Sequence, residues 1–221
     1  MIKILFGNKP IFLCKDYKEF IDKNKLNNAL IVFSLNEEKV IDYLDLLLSS
    51  DIRSMIISGD EFSNINILKK VIKNIIAGGG VVINDKKECL LIFRRGKWDL
   101  PKGKYEDDGD IIQCAIREVK EETGIQNIIL EKKFYTSYHI YIENEYILKE
   151  THWYLMKTNE THLIPQLEEG ITKAKWLHIS NLHLLKNKTY ISIYDIILKL
   201  QKHFNEKTPP IKEGRLKKSH K

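Results

Sequence analysis

The sequence predicts an α/β protein in which a small N-terminal α/β unit precedes a larger mixed-sheet unit. Three observations carry this. Short runs rich in branched apolar residues, ALIVFS at 29–34 and SMIIS at 54–58, have the composition of β-strands. They alternate with stretches whose apolar residues recur at helical spacing. From residue 75 onward, strand-like runs surround one strongly helical segment, 110–123.

In NEEKVIDYLDLLLSS (36–50), Val40, Ile41, Leu44, Leu47 and Leu48 fall on one helix face, and Asn36 is placed to cap it. A further helix is expected from Glu61 through Ile75. The larger unit opens with IIAGGGVVIN and ECLLIFRRG, two strands joined by the polar turn NDKK. The glycine run Gly78–Gly80 lacks the Lys-Ser/Thr of a phosphate loop and reads as part of the strand. Phe134 to Lys157 alternates as two strands with ENE (143–145) at the turn, AKWLHIS (174–180) is another strand, and 190–204 is a helix. The division expected is 1–72, 73–205 and a tail, 206–221. Residues 1–72 carry no acidic cluster, phosphate loop or nucleophile arrangement, so a partner-binding or homodimer-forming role for them stays open.

Of 221 residues, 43% are hydrophobic and 30% charged, the balance of a soluble globular chain. No apolar run approaches the ~20 residues that span a bilayer, and Lys3, Gly7, Asn8 and Lys9 interrupt the N-terminus too early for a signal core. No membrane partner and a cytoplasmic location are therefore expected. Cys14, Cys89 and Cys114 are odd in number and far apart, which suits free buried thiols. The net charge of +6 is concentrated in the tail. There Lys207, Lys212, Arg215, Lys217, Lys218 and Lys221 face only Glu206 and Glu213, so the body retains about +2. A nucleic-acid face on the folded part is not expected, and the tail composition reads as disordered.

The chemistry lies in the helix from 110. Asp110 and Gln113 have capping-box spacing, Ile112, Ala115, Ile116 and Val119 form the buried stripe, and Gly124 sits where helices stop. Away from that stripe stand Glu118, Glu121 and Glu122, neighbours on one face where like charges repel. Arg117, four residues before Glu121, offers an ion pair. Such a face is either a solvated acidic surface or a site for a hard divalent cation, since Mg²⁺ takes carboxylate oxygens.

The surrounding LPKGKYEDDGDIIQCAIREVKEETGI resembles the Nudix box, the motif of the Nudix hydrolase superfamily. That box runs Gly, five residues, Glu, seven residues, then Arg-Glu-apolar-any-Glu-Glu-any-Gly-apolar. Gly103, Arg117, Glu118, Val119, Glu121, Glu122, Gly124 and Ile125 fall in register, eight of the nine specified positions. The ninth, the first glutamate of the box, is Gly109 here, flanked by Asp108 and Asp110.

The resemblance implies a Nudix-type α/β/α sandwich with a mixed β-sheet and a nucleotide pyrophosphatase that uses Mg²⁺, with Mn²⁺ as a substitute. It implies that Glu118, Glu121 and Glu122 hold the metal and that a backbone carbonyl near Lys102 and Gly103 joins them. Arg117 would orient the glutamates. Glu169, with Glu168 beside it, would supply a further ligand or base from outside the box. Arg94 and Arg95, with Gly103, would meet the substrate. The substrate class implied is a nucleoside diphosphate linked to another group: a nucleoside triphosphate, a dinucleoside polyphosphate or a nucleotide sugar. The aromatics Phe134, Tyr135, Tyr138, Tyr141, Trp98 and Trp153 are expected mostly in the core, although any of them can stack on a base. A nucleotide sensor that keeps the fold and cleaves weakly is the competing reading, motivated by Gly109 and the additional N-terminal unit.

Overall fold

Backbone pairing joins both halves of the chain into one mixed sheet. The structure, a computed structural model, describes residues 1–106 and 109–207. The first half runs β1 (Ile2–Phe6), β2 (Lys9–Cys14), α1 (Tyr17–Asn24), β3 (Ala29–Val32), α2 (Val40–Ser49), β4 (Ser54–Ser58) and α3 (Glu61–Val71). The second half continues with β5 (Lys73–Asn84), β6 (Glu88–Arg94), β7 (Lys97–Asp99), β8 (Lys102–Lys104) and α4 (Ile111–Thr123). It ends with β9 (Ile129–Ile142), β10 (Tyr146–Thr158), β11 (Ile171–His178) and α5 (Ile191–Lys207). Among the described residues the sheet order is β11-β6-β5-β10-β9-β1-β2-β4-β3, with β7 beside β6 and β8 beside β5.

The expected elements are present, with shifted ends. Asn36 caps as its position suggests, its side chain accepting from the Lys39 N–H at 3.0 Å. The first turn there is a 3-10 turn, Glu37–Lys39, before α2 begins. The helix from Glu61 stops at Val71, short of Ile75, because Ile72 is already extended and Lys73 enters β5. Helix α5 takes in Glu206 and Lys207, so the expected tail begins later; residues 208–221 lie outside the described residues. Cys14, Cys89 and Cys114 are free and buried. No helix among the described residues is long and apolar enough to cross a membrane.

Side-chain alternation sorts the layers. On β10, Leu148, Tyr154 and Met156 point to one face, and Trp153 and Leu155 to the other. Leu148 packs with α2 and α3, and Tyr154 and Met156 pack with α4. Trp153 and Leu155 pack under α5, beside Ile193, Ile196, Ile197 and Leu200. Helices therefore cover both faces of a mixed sheet, the α/β/α arrangement expected.

The first and second halves share more than a sheet edge. Strand β1 runs parallel to β9, Ile4 to Phe6 opposite Tyr138 to Ile140. Ile140 and Leu148 belong to the same apolar cluster as Ile4, Ile11, Leu44 and Leu68. A polar contact crosses the same boundary. Lys69 of α3 meets Glu150 of β10 at 2.7 Å, with His152 at 3.3 Å and the Tyr138 hydroxyl donating at 3.3 Å. Burial raises the Glu150 carboxyl, but hydrogen bonds from His152 and Lys69 outweigh it and hold it at about 2.

Helix α4 reaches the sheet through glycines. A Cβ on Gly78 would stand 2.7 Å from the Ala115 backbone nitrogen and 2.9 Å from the Ile111 carbonyl oxygen. A Cβ on Gly80 would stand 2.4 Å from a Val119 methyl. The glycine run is thus the bed of α4, and Gly78 meets backbone that cannot swing aside. Gly78→Ala should push the helix outward and lower stability by roughly 1–3 kcal/mol, the usual cost of overpacking. Denaturant unfolding of the variant against the parent checks this.

Candidate active site

The site is built on the exposed side of α4 where it crosses β8. Asp110 caps the helix, one carboxylate oxygen accepting from the Ile112 and Gln113 N–H groups at 2.8 Å each. Gly124, in the left-handed conformation at φ 78, closes it. Between these ends the buried stripe fixes the rotation of α4, so Glu118, Glu121 and Glu122 point toward β8 and its surroundings.

Glu122 is the buried member, 2% exposed. Its carboxylate accepts the Lys102 N–H at 2.8 Å and the Arg94 guanidinium at 3.3 Å. Arg94 Nε also lies 3.5 Å from Asp99, and Lys102 Nζ lies 2.7 Å from it. Two cations and two carboxylates thus form a closed set. Burial pushes the Glu122 carboxyl up to about 7; Lys102 and Arg94 oppose the rise and Glu118 adds to it.

Glu118 rests on bare backbone. A Cβ on Gly103 would stand 2.0 Å from a Glu118 carboxylate oxygen, so only glycine fits there. One Arg117 nitrogen reaches Glu118 at 2.8 Å and Glu121 at 2.7 Å; the other donates to the Lys104 carbonyl at 3.2 Å. Burial raises the Glu118 carboxyl; Arg117 lowers it, and Glu121 and Glu169 raise it again. Arg117 therefore clamps two glutamates to the β8 strand.

Glu169 ends the 3-10 turn Leu167–Glu169, exposed and near enough for Glu118 to feel its charge. Glu168 is exposed on the same turn. Arg94 and Arg95 separate. Arg94 enters the buried set, whereas Arg95 is exposed in the turn after β6 at φ 49 and makes none of those ion pairs. Gly109 sits at φ 84 with open space around it. Asp108 lies outside the described residues, and Asp110 has a carboxylate oxygen committed to the helix cap.

The donor set suits a hard divalent cation in chemistry more than in closure. Among the described residues, no three acidic, His or Cys side chains converge into a cage. Mg²⁺ usually needs only one or two carboxylates, completing its shell with waters and substrate phosphates. Glu118 and Glu122 are both carboxylates whose negative charge the protein compensates incompletely, as their upward shifts record. A cation there would complete the compensation.

Asp99 and Lys149 were not found from the sequence. Asp99 lies just before the box without a spacing that distinguishes it. Lys149 sits in the alternating run YILKETHWY, where a lysine reads as an ordinary outward-facing residue. The aromatics are mostly structural. Trp153 is buried and donates to Ser137 at 2.8 Å, and Trp98 packs on Phe93. Tyr141, half-buried, lies against His139 with ring centroids 5.7 Å apart.

The NUDIX domain model matches residues 73–199. An mRNA-decapping enzyme subunit 2 of Arabidopsis thaliana is 29% identical over 115 residues, covering 50% of this chain and 30% of that protein. A putative mutator protein MutT4 of Mycobacterium tuberculosis is 37% identical over 92 residues, covering 37% of each. The chain therefore spans about a third of the length of these curated relatives. A MutT protein structure from Methanosarcina mazei aligns at 20% identity with a TM-score of 0.48, over 60% of this chain and 96% of that one.

The Glu122 environment yields a test without substrate. A carboxyl raised from 4.5 to about 7 keeps its proton in the folded state where the unfolded chain has lost it. Its contribution to stability is intact below pH 4.5 and is lost as pH rises to about 7. In chelator, stability should fall over that window by on the order of 3 kcal/mol from this group. Glu122→Gln, which resembles the protonated form, should flatten the slope. Melts across the window would contradict the burial argument if parent and variant lost stability in parallel.

Proposed function

Because the chain belongs to the Nudix family, we propose that it is a pyrophosphohydrolase using Mg²⁺, with Mn²⁺ as a substitute, on a nucleoside diphosphate linked to another group. The observation that supports this best is the seating of Glu118 on Gly103 beside buried Glu122, with Arg117 holding Glu118 and Glu121 to one strand.

Glu118 and Glu122 would hold the metal, with Glu121 and the Lys102 carbonyl sharing it. When bound, the metal neutralises charge developing on the cleaved diphosphate and lowers the pKa of an attacking water. The chain's own residues do the rest. Arg117 fixes the glutamate rotamers, so little reorganisation is needed as charge develops. The Lys102 N–H orients Glu122. Glu169, exposed and electrostatically linked to Glu118, is placed to accept a proton from water. Arg94, already held by Asp99 and Glu122, lies where a substrate phosphate would meet it.

Excess EDTA should abolish turnover of any accepted diphosphate, and Mg²⁺ or Mn²⁺ should restore it. Full activity in chelator would sink the metal-dependent reading. Glu118→Gln keeps shape and removes charge, so its turnover should fall by at least ~10² while its melt stays close to the parent's.

A sensor that binds nucleotide and cleaves weakly is favoured by one observation, Gly109 in place of the first glutamate of the box. Its left-handed backbone explains the glycine without lost chemistry, since other residues pay about 1 kcal/mol or more there. Gly109→Glu should therefore lower stability by about that amount. It should leave unchanged the metal concentration giving half-maximal turnover. A clear drop in that concentration would show that the glycine has cost the site a ligand.

A further inference from the structure

Lys149 is a cation enclosed by other cations. It stands on β10 opposite His139 of β9 and beside Ile75 of β5, with its side chain partly buried. Lys102, Arg94 and Lys104 are near enough for their charges to act on it, and among acids Asp99 does so. Asp99 is already engaged by Lys102 and Arg94, whose remaining partner is Glu122. Two cations and two carboxylates balance, and Lys149 is left over. Among the described residues, no carboxylate comes within ion-pair distance of its ammonium.

The surroundings have the form of a floor. His139 is exposed to solvent, yet desolvation lowers its basicity first and Lys149 lowers it further. Access to water together with dense surrounding protein describes the bottom of a concave surface. Burial likewise lowers Lys149 itself to about 8, with Lys102, Arg94 and Lys104 contributing and Asp99 opposing. A buried charge without a partner is costly, and a chain that retains one has a use for an anion there.

Resting on the hydrolase reading above, we infer that Lys149 binds a further phosphate of the substrate, beyond the diphosphate held at the glutamate face, so that the substrate carries three or more phosphates in a row. The balanced set Arg94–Asp99–Lys102–Glu122 lies between the glutamate face and Lys149. A chain of phosphates would therefore run from Glu118 and Glu122 across Arg94 and Lys102 to the Lys149 ammonium. A nucleotide sugar, with two phosphates and a neutral sugar beyond them, offers nothing for that cation. Nucleoside triphosphates and dinucleoside polyphosphates do.

The test measures anion binding to the full chain in EDTA, where neither metal nor turnover enters. Inorganic tripolyphosphate and inorganic pyrophosphate are titrated calorimetrically against the parent and Lys149→Met, and both proteins are melted without ligand. The parent should bind tripolyphosphate more tightly than pyrophosphate. Lys149→Met should lose about tenfold or more in tripolyphosphate affinity, the scale of truncating a buried charge pair. It should change little toward pyrophosphate, and it should melt no lower than the parent because an uncompensated charge has gone. A variant that keeps the parent's preference overturns the inference. So does one that melts several degrees lower, since the ammonium would then be paired within the fold. A parent that prefers tripolyphosphate yet turns over no nucleotide with Mg²⁺ refutes the hydrolase reading and leaves the anion site standing.

Discussion

The close approach of α4 to the glycine strand is the constraint on which the rest of the site depends. A helix on a sheet of ordinary residues would stand further out, held off by Cβ atoms. Here Gly78 and Gly80 remove them, and the helix backbone descends until the Ala115 nitrogen is within contact of the strand. Strand β8, pairing with β5 at Gly78 and Gly79, is then close enough for Glu118 to lie on Gly103 and for Glu122 to accept the Lys102 N–H. One translation of a helix thus brings the carboxylates to the loop. The same descent buries Glu122 and produces its upward shift.

Electrostatics at the site follow from that burial. The protein compensates carboxylates in two ways: Arg94 and Lys102 serve the buried set, and Arg117 serves the rim. Compensation at Glu122 is incomplete despite its partners, because desolvation outweighs Lys102 and Arg94. The free protein therefore holds part of its binding energy in reserve, as ionisation that a cation would favour. Lys149 is the counterpart on the other side of the balanced set, a cation whose cost an anion would relieve. Opposite unpaid charges at two ends of a cleft describe a site for something that brings both a metal and several phosphates.

The sequence made the site more legible than the architecture around it. Glu118, Glu121, Glu122, Arg117 and Gly103 could be placed because a helix imposes fixed angles, so spacing alone determines which side chains share a face. The capping Asp110 and the closing Gly124 were readable for the same local reason. Lys149 and Asp99 were not, because they meet the site through sheet pairings that depend on strand order, which local periodicity does not encode. Arg94 and Arg95 show the same limit: adjacent in sequence, they part because the strand ends between them. The run GGG was recognised as strand, but its purpose depends on a helix more than thirty residues later in the chain. Joining of residues 1–72 to the larger sheet was hidden for a related reason, since β1 pairs with β9 across most of the chain.

That pairing gives the N-terminal half a physical role at the site, whatever else it binds. A sheet ending at β9 would expose an unpaired edge fourteen residues long, prone to pairing with other chains. Strand β1 satisfies part of that edge at Tyr138 to Ile140, the stretch containing His139. His139 lies directly across from Lys149, so β1 flanks the strand that walls the basic floor. On the opposite face, α3 delivers Lys69 to Glu150, the residue next to Lys149, with a carboxyl held at about 2 and hence ionised at any ordinary pH. Strand β10 is therefore pinned on one face by an ion pair from the N-terminal half while its neighbouring residue presents a cation on the other. A cation kept without a partner must be prevented from bending its strand toward solvent, and the Lys69–Glu150 contact with the apolar packing of Leu148 supplies that restraint. The additional half is in this respect part of the machinery that positions the β9–β10 floor.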